Sequence, residues 1–182
     1  MRKVLHLMGT LTDQDVEWLT EQGRTRLVAK DVAVIRQGEP IEALFILLEG
    51  RLSVRKVGRE DREGREVASL YPGEVLGEIS FVDARPPSAS VVSVEDSHVL
   101  VVPKELLLKK LGRDDGFAAR FYRGLAVFLA DRLRTTTAHL GYGTWSDDAQ
   151  GHEDSIDDGA FDDISLAARR FDGMLRRLRI ES

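Results

Sequence analysis

The chain has 182 residues and a formal net charge of −5, a length for one domain with appendages and a sign that weighs against a nucleic-acid partner, which usually leaves a basic surplus. Its 42% hydrophobic and 31% charged residues suit a real core under a hydrated surface. It has no cysteine, which excludes disulfides and thiolate metal sites, and no stretch near the ~20 apolar residues that span a bilayer.

The first eight residues mimic the start of a signal peptide, but the apolar run is too short for an h-region and Gly9, Thr10, Leu11, Thr12 and Asp13 end it. A cytoplasmic protein is expected. Thr12 followed by Asp13 and Asp15 predicts a helix N-cap with an acidic first turn. Leu11, Val16, Trp18 and Leu19 give that helix its apolar side, and Gly23 ends it. From Arg26 the period changes. Leu27, Val28, Val32, Val34 and Ile35 are β-formers broken at Lys30 and Asp31 and again at 37–40. Residues 43–48 are a continuous apolar run closed by Glu49 and Gly50. Leu52 and Val54 then alternate with Ser53 and Arg55, the pattern of a half-buried strand. A charged loop (58–64), a strand (66–70), a turn at Pro72 and Gly73, and two further strands (90–94, 98–102) follow. Short strands at close spacing with glycine-containing turns predict an all-β roll or barrel.

The helical period returns after Pro103. Residues 104–111 predict a short helix stopped by Gly112. A long helix begins at Asp114 and Asp115, on a stripe of Phe117, Phe121, Leu125, Phe128, Arg132 and Leu133, widened by Leu129 and Leu140. Residues 141–159 carry six acids and no Lys or Arg, the composition of a solvated linker. Beyond it Phe161, Ile164, Ala168, Phe171, Leu175 and Leu178 recur at steps of three and four, an amphipathic seam. Asp162 and Asp163 at its start and Arg176, Arg177 and Arg179 at its end suit the helix dipole.

Residues 76–91 read L-G-E-I-S-F-V-D-A-R-P-P-S-A-S-V. This resembles the phosphate-binding cassette of the cyclic-nucleotide-binding domain family: Gly77, Glu78, Pro86, Ala89, Ser90 and Val91 match its pattern. The family's phosphate-gripping arginine is replaced by Pro87. The likeness extends over roughly 11–140, with I-R-Q-G-E-P at 35–40 and F-I-L-L-E-G-R-L-S-V at 45–54 resembling the opening strands, and Gly38, Gly50 and Gly73 at family turn positions. The resemblance implies a mainly β fold with flanking helices: a double-stranded β-helix, or jelly roll, followed by a long helix, to which composition and period add a tethered terminal helix. The expected parts are a domain over 1–140 (helical 1–24, β-roll 25–103, helices 104–140), a flexible linker over 141–160 and a basic amphipathic tail over 161–182.

The resemblance also implies a site for cAMP or cGMP. Gly77 would let the backbone pass close to the sugar, Glu78 would accept the ribose hydroxyl, and Ile79 and Ser80 would begin a short helix facing the phosphate. Ser88, Ala89 and Ser90 would complete the cradle, with Arg85 the nearest candidate cation. Residues 129–137 resemble the long helix of the catabolite activator family, which places Thr136 and Thr137 where hydroxyls read adenine across a dimer interface. A homodimer through helix 114–140 is the matching expectation.

In that family a winged helix-turn-helix follows, whereas about 40 residues remain here, and direct DNA binding is not expected. The four histidines are scattered and no nucleophile or phosphate-loop motif occurs. No catalytic residue, metal ligand or cofactor is assigned. The expectation is a non-catalytic sensor acting through a protein partner. The alternative is a nucleotide-independent scaffold or adaptor. In both, Phe161, Ile164, Phe171, Leu175 and Leu178 are the candidate docking residues, on a partner or on the chain's own surface.

Overall fold

The computed structural model describes residues 6–56, 64–139 and 158–180. Two helices precede the strands, α1 (His6–Thr10) and α2 (Asp13–Gln22). α2 begins as the sequence predicts. The Thr12 hydroxyl accepts the Asp15 N–H and the Asp15 carboxylate accepts the Thr12 N–H at 2.8 Å, a reciprocal capping box. α1 falls within the helical stretch expected over 1–24, with Gly9 and Thr10 inside it. A five-residue helix has no stability of its own; burial of Leu7 and Met8 against other helices makes it.

Eight strands form two antiparallel four-stranded sheets among the described residues. One runs in the order β1 (Arg24–Val28), β8 (Ser97–Pro103), β3 (Ala43–Glu49), β6 (Val75–Leu76). The other runs β2 (Ala33–Ile35), β7 (Ser90–Ser93), β4 (Leu52–Lys56), β5 (Arg65–Leu70). This is the predicted jelly roll. The unbroken apolar run of β3 has a direct cause. Phe45 and Leu47 point into the roll with Val54, Leu70 and Val99, while Leu44, Ile46 and Leu48 point the other way into a helical core. A strand covered on both faces cannot alternate. Gly50 closes the turn after β3 at φ +88, and a Cβ there would lie 2.3 Å from the Ser97 hydroxyl, so the turn requires glycine on both counts.

The helical layer holds α2, α4 (Lys104–Leu111, capped at Gly112) and α5 (Asp115–His139). Phe117, Phe121, Leu125 and Phe128 of α5 are buried as predicted, and Phe117 stacks on Phe121. Leu133 leaves the stripe and is 68% exposed. The last helix, α6 (Asp158–Leu178), starts three residues before the expected boundary and packs against α1 and α2. Its buried positions are Ala167, Phe171, Met174 and Leu175, with Leu178 partly covered. Ala167 therefore replaces Ala168 in the predicted seam: the 3.6-residue period sets the stripe at 167, 171, 174/175 and 178. Of the linker expected over 141–160, residues 158–160 belong to α6, and 141–157, like the side chains of Phe161 and Ile164, lie outside the described residues.

Candidate functional site

A cleft of about 100 Å³ opens into the roll between the short helix α3 (Glu78–Asp83), the loop before β7 and α5. Its walls are apolar: Ile35, Val54, Leu70 and Val91 from the strands, Ile41 from the loop before β3. Its rim is the segment singled out in the sequence. Gly77 caps α3 at φ +83, and a Cβ there would lie 3.3 Å from the Ala43 carbonyl oxygen, so the chain passes close to β3 only because the position is glycine. Gly77, Glu78, Ile79, Ser80, Ser88 and Ala89 all line the cleft.

Glu78 is 2% exposed. Its carboxylate accepts an N–H from Arg132 of α5 at 2.5 Å. Arg132 also lies over the Phe128 ring, 5.7 Å from the centroid. Burial pushes the Glu78 carboxyl above its ordinary value, and the Arg132 charge offsets that only in part. Arg132 is the residue that sequence reasoning missed as a site. Its signal was visible: an arginine on an otherwise apolar helix stripe, where a cation needs a buried acid to sit beside.

Four expected ligand residues, Arg85, Ser90, Thr136 and Thr137, do not line the cleft. Arg85 is exposed and does not line the cleft. The chain turns at Ala84, held at φ +57, and the Asp83 carboxylate accepts the Arg85 N–H at 3.0 Å, which directs this corner to solvent. Thr136 and Thr137 are exposed too. Their hydroxyls donate to the carbonyls of Arg132 and Leu133, one helical turn back, so they do not reach the cleft of their own chain. Ser90 accepts the Gln37 N–H at 2.9 Å, and the Pro87 carbonyl accepts the Gly38 N–H at 2.9 Å. These two bonds tie the end of the cassette to the loop after β2. Among the described residues Arg132 is the one cationic side chain lining the cleft.

Of the expected docking residues, Phe171 and Leu175 are buried in the chain's own helical core and Leu178 packs at its edge. The seam has an apolar face to cover, and α1 and α2 cover it.

A jelly roll with a glycine-capped short helix and a buried acid at its mouth defines a class. Residues 25–114 match the cyclic nucleotide-binding domain family, and the β-roll of this chain belongs to it. The "Cyclic AMP receptor protein" of Thermus thermophilus is 31% identical over 134 residues, covering 74% of this chain and 60% of that protein. The crystal structure of the Thermus thermophilus catabolite activator protein matches at 28% identity with a TM-score of 0.64, over 75% of this chain and 62% of that one. A cyclic nucleotide-binding domain from Methylobacillus flagellatus shares the fold at 20% identity, with a TM-score of 0.68 over 79% of this chain and 84% of that one. The chain spans less than two thirds of the Thermus receptor's length.

Proposed function

We propose that this chain is a non-catalytic cyclic-nucleotide sensor, for cAMP or cGMP, that acts by protein contact. The observation that carries this reading is the buried Glu78–Arg132 pair at the mouth of the cleft. In this reading Glu78 accepts a ribose hydroxyl. Pro87 removes the family's cation, and Arg132 supplies another from α5. A guanidinium has five N–H donors, so one can serve Glu78 while others serve a phosphate oxygen.

Ligand pockets usually measure about 300–1,000 Å³, and this cleft is about 100 Å³. Binding that widens the cleft moves α5, which carries Arg132 along its wall. A ligand that favours the wider state shifts α5, which is how an occupied pocket becomes a signal. The outer side of α5 supports dimerisation: Tyr122, Val127 and Leu133 are exposed apolar side chains, and Thr136 and Thr137 would face a second copy. No direct DNA contact belongs to this reading. Among the described residues no helix is long and apolar enough to cross a membrane, in keeping with a cytoplasmic role.

Calorimetric titration with cAMP and cGMP tests the proposal, with Arg132→Gln and Arg85→Ala alongside. Micromolar binding lost in Arg132→Gln and kept in Arg85→Ala is the expected result. Binding lost in Arg85→Ala and kept in Arg132→Gln returns the phosphate grip to the loop. No heat at millimolar nucleotide sinks the sensor and leaves the nucleotide-independent scaffold, which Pro87 and the small cleft favour.

A further inference from the structure

The tail helix lies outside the part of the chain that matches the family, yet it is built into the core. Ala167, Phe171, Met174 and Leu175 are buried against α1 and α2. Arg170 fixes the position. Its side chain is 13% exposed, and its guanidinium donates to the Asp13 carboxylate at 2.6 Å and to the carbonyls of Met8 at 3.1 Å and Gly9 at 3.4 Å. One side chain thus satisfies the last carbonyls of α1 and the first acid of α2. Arg177 pairs with Glu17 one α2 turn further on.

What α6 holds is in turn fixed to α5. α1 packs on α5 so closely that a Cβ on Gly124 would lie 2.4 Å from the Thr10 hydroxyl and 3.2 Å from Leu7 Cα. α2 is joined to α5 by Asp15, which accepts two N–H groups of Arg120 at 2.6 and 3.0 Å. Arg132 lies on the same helix, about 18 Å further along at 1.5 Å per residue, and ends on Glu78. The contacts run without a gap from α6 through α1 and α2 to α5 and the cleft.

We infer that α6 is a built-in brake on the pocket: docked on α1 and α2, it holds α5 where Arg132 closes on Glu78, and opening of the pocket and release of α6 favour one another. Only the ligand arm of this inference rests on the nucleotide reading above. The sign follows from the Glu78–Arg132 contact, which with α6 docked lies closed at the mouth of the cleft. Coupling of this kind is reciprocal, and its usual range is about 5- to 150-fold in affinity. Release would bare the Phe171–Met174–Leu175 face flanked by Arg170 and Arg177. A partner suited to it presents what α1 and α2 present here, an apolar groove edged by carboxylates.

The chain has no cysteine, so single introduced thiols report cleanly in the full chain. Ala167→Cys places one on the buried face of α6, and Met174→Cys gives a second position should the first perturb docking. Ser53→Cys, in the buried middle of β4, reports unfolding of the roll. The latch is cut by the charge-neutral pair Glu78→Gln/Arg132→Gln, which leaves no orphan charge. Thiol labelling at 167 should rise about 5- to 50-fold in that background while labelling at 53 stays unchanged. Saturating cAMP or cGMP should act in the same direction, and Arg170→Gln should tighten nucleotide binding by about the same factor. Unchanged labelling at both 167 and 174 in the latch variant, or equal acceleration at 53, overturns the brake. Faster labelling at 167 alone, with no nucleotide bound at any concentration, supports the brake and removes only the proposed ligand.

Discussion

α5 extends two arginines toward two buried carboxylates, and the two pairs are built differently. At its N-terminal end Arg120 meets Asp15, which also accepts the Thr12 N–H of the capping box. Burial would raise the Asp15 carboxyl, but the Arg120 and Thr12 hydrogen bonds and the Arg120 charge together hold it below its ordinary value. At the other end Glu78 receives one guanidinium N–H beside an apolar cleft, and there burial wins. The first pair is fully satisfied and belongs to the scaffold. The second keeps an acid in a state it does not favour, at the mouth of a pocket. A buried carboxylate held by a single guanidinium N–H at the mouth of a cleft is a candidate ligand group.

The largest expected difference comes from removing one cation at a time. Arg120→Met leaves Asp15 buried and unpaired, and breaking such a pair costs about 3–5 kcal/mol. Arg132→Met should cost less, because burial already outweighs the Arg132 charge at Glu78. Urea unfolding at neutral pH measures both. Equal losses would break the contrast between scaffold and site.

The next effect is opposite in sign at the two ends. Replacing both partners, as Glu78→Leu/Arg132→Leu, should leave stability unchanged or raise it by up to about 4 kcal/mol, with nucleotide binding gone. The matching change at Asp15 and Arg120 should lose stability, since the Thr12 N–H then has no acceptor, a cap worth about 0.5–2 kcal/mol. The pH dependence follows the same division. Asp15 is lowered in the fold, so its contribution is present above the ordinary carboxylate range and is lost as pH falls through that range to its folded value. Glu78 is raised, so its contribution is present below the ordinary range and is lost as pH rises toward its folded value. The advantage of the Glu78→Leu/Arg132→Leu chain over the native one should therefore widen upward from the ordinary carboxylate range, by at most about 1.4 kcal/mol per pH unit for one proton. An advantage that is flat across that range would show that Glu78 is not raised.

The same two ends differ in how far the sequence revealed them. The Thr12 cap, the β3 run, the glycines at 50 and 77 and the order of strands and helices could be read directly, because each depends on residues near one another in the chain. The acid of the site was legible for the same reason, as part of a continuous cassette. Its cation was not, since Arg132 meets Glu78 across 54 positions and shows locally only as a charge on an apolar stripe. Arg85 looked suitable by proximity, but the turn at Ala84 directs it outward. α1 was legible only as part of a helical stretch over 1–24, because five residues carry no helical period of their own. It exists through Leu7, Met8 and the Arg170 side chain from the far end of the chain.

The smallest effects separate a tight helical contact from an open one. Gly124 and Gly173 both sit inside helices, where alanine normally gains up to about 1 kcal/mol. At Gly173 of α6 a Cβ would meet nothing within 4 Å, and Gly173→Ala should collect that gain. At Gly124 the same atom runs into Thr10 and Leu7. The Thr10 hydroxyl already donates to the Leu7 carbonyl at 3.0 Å and cannot turn away without losing that bond, so α1 itself must shift. Gly124→Ala should lose about 1–3 kcal/mol, the usual cost of overpacking, despite its better propensity. Because α1 also carries the carbonyls that Arg170 holds, the loss should come with faster thiol labelling at 167 and unchanged labelling at 53. A stabilised Gly124→Ala chain would show that α1 yields freely on α5, and an interface that yields freely cannot transmit the position of α6 to the cleft.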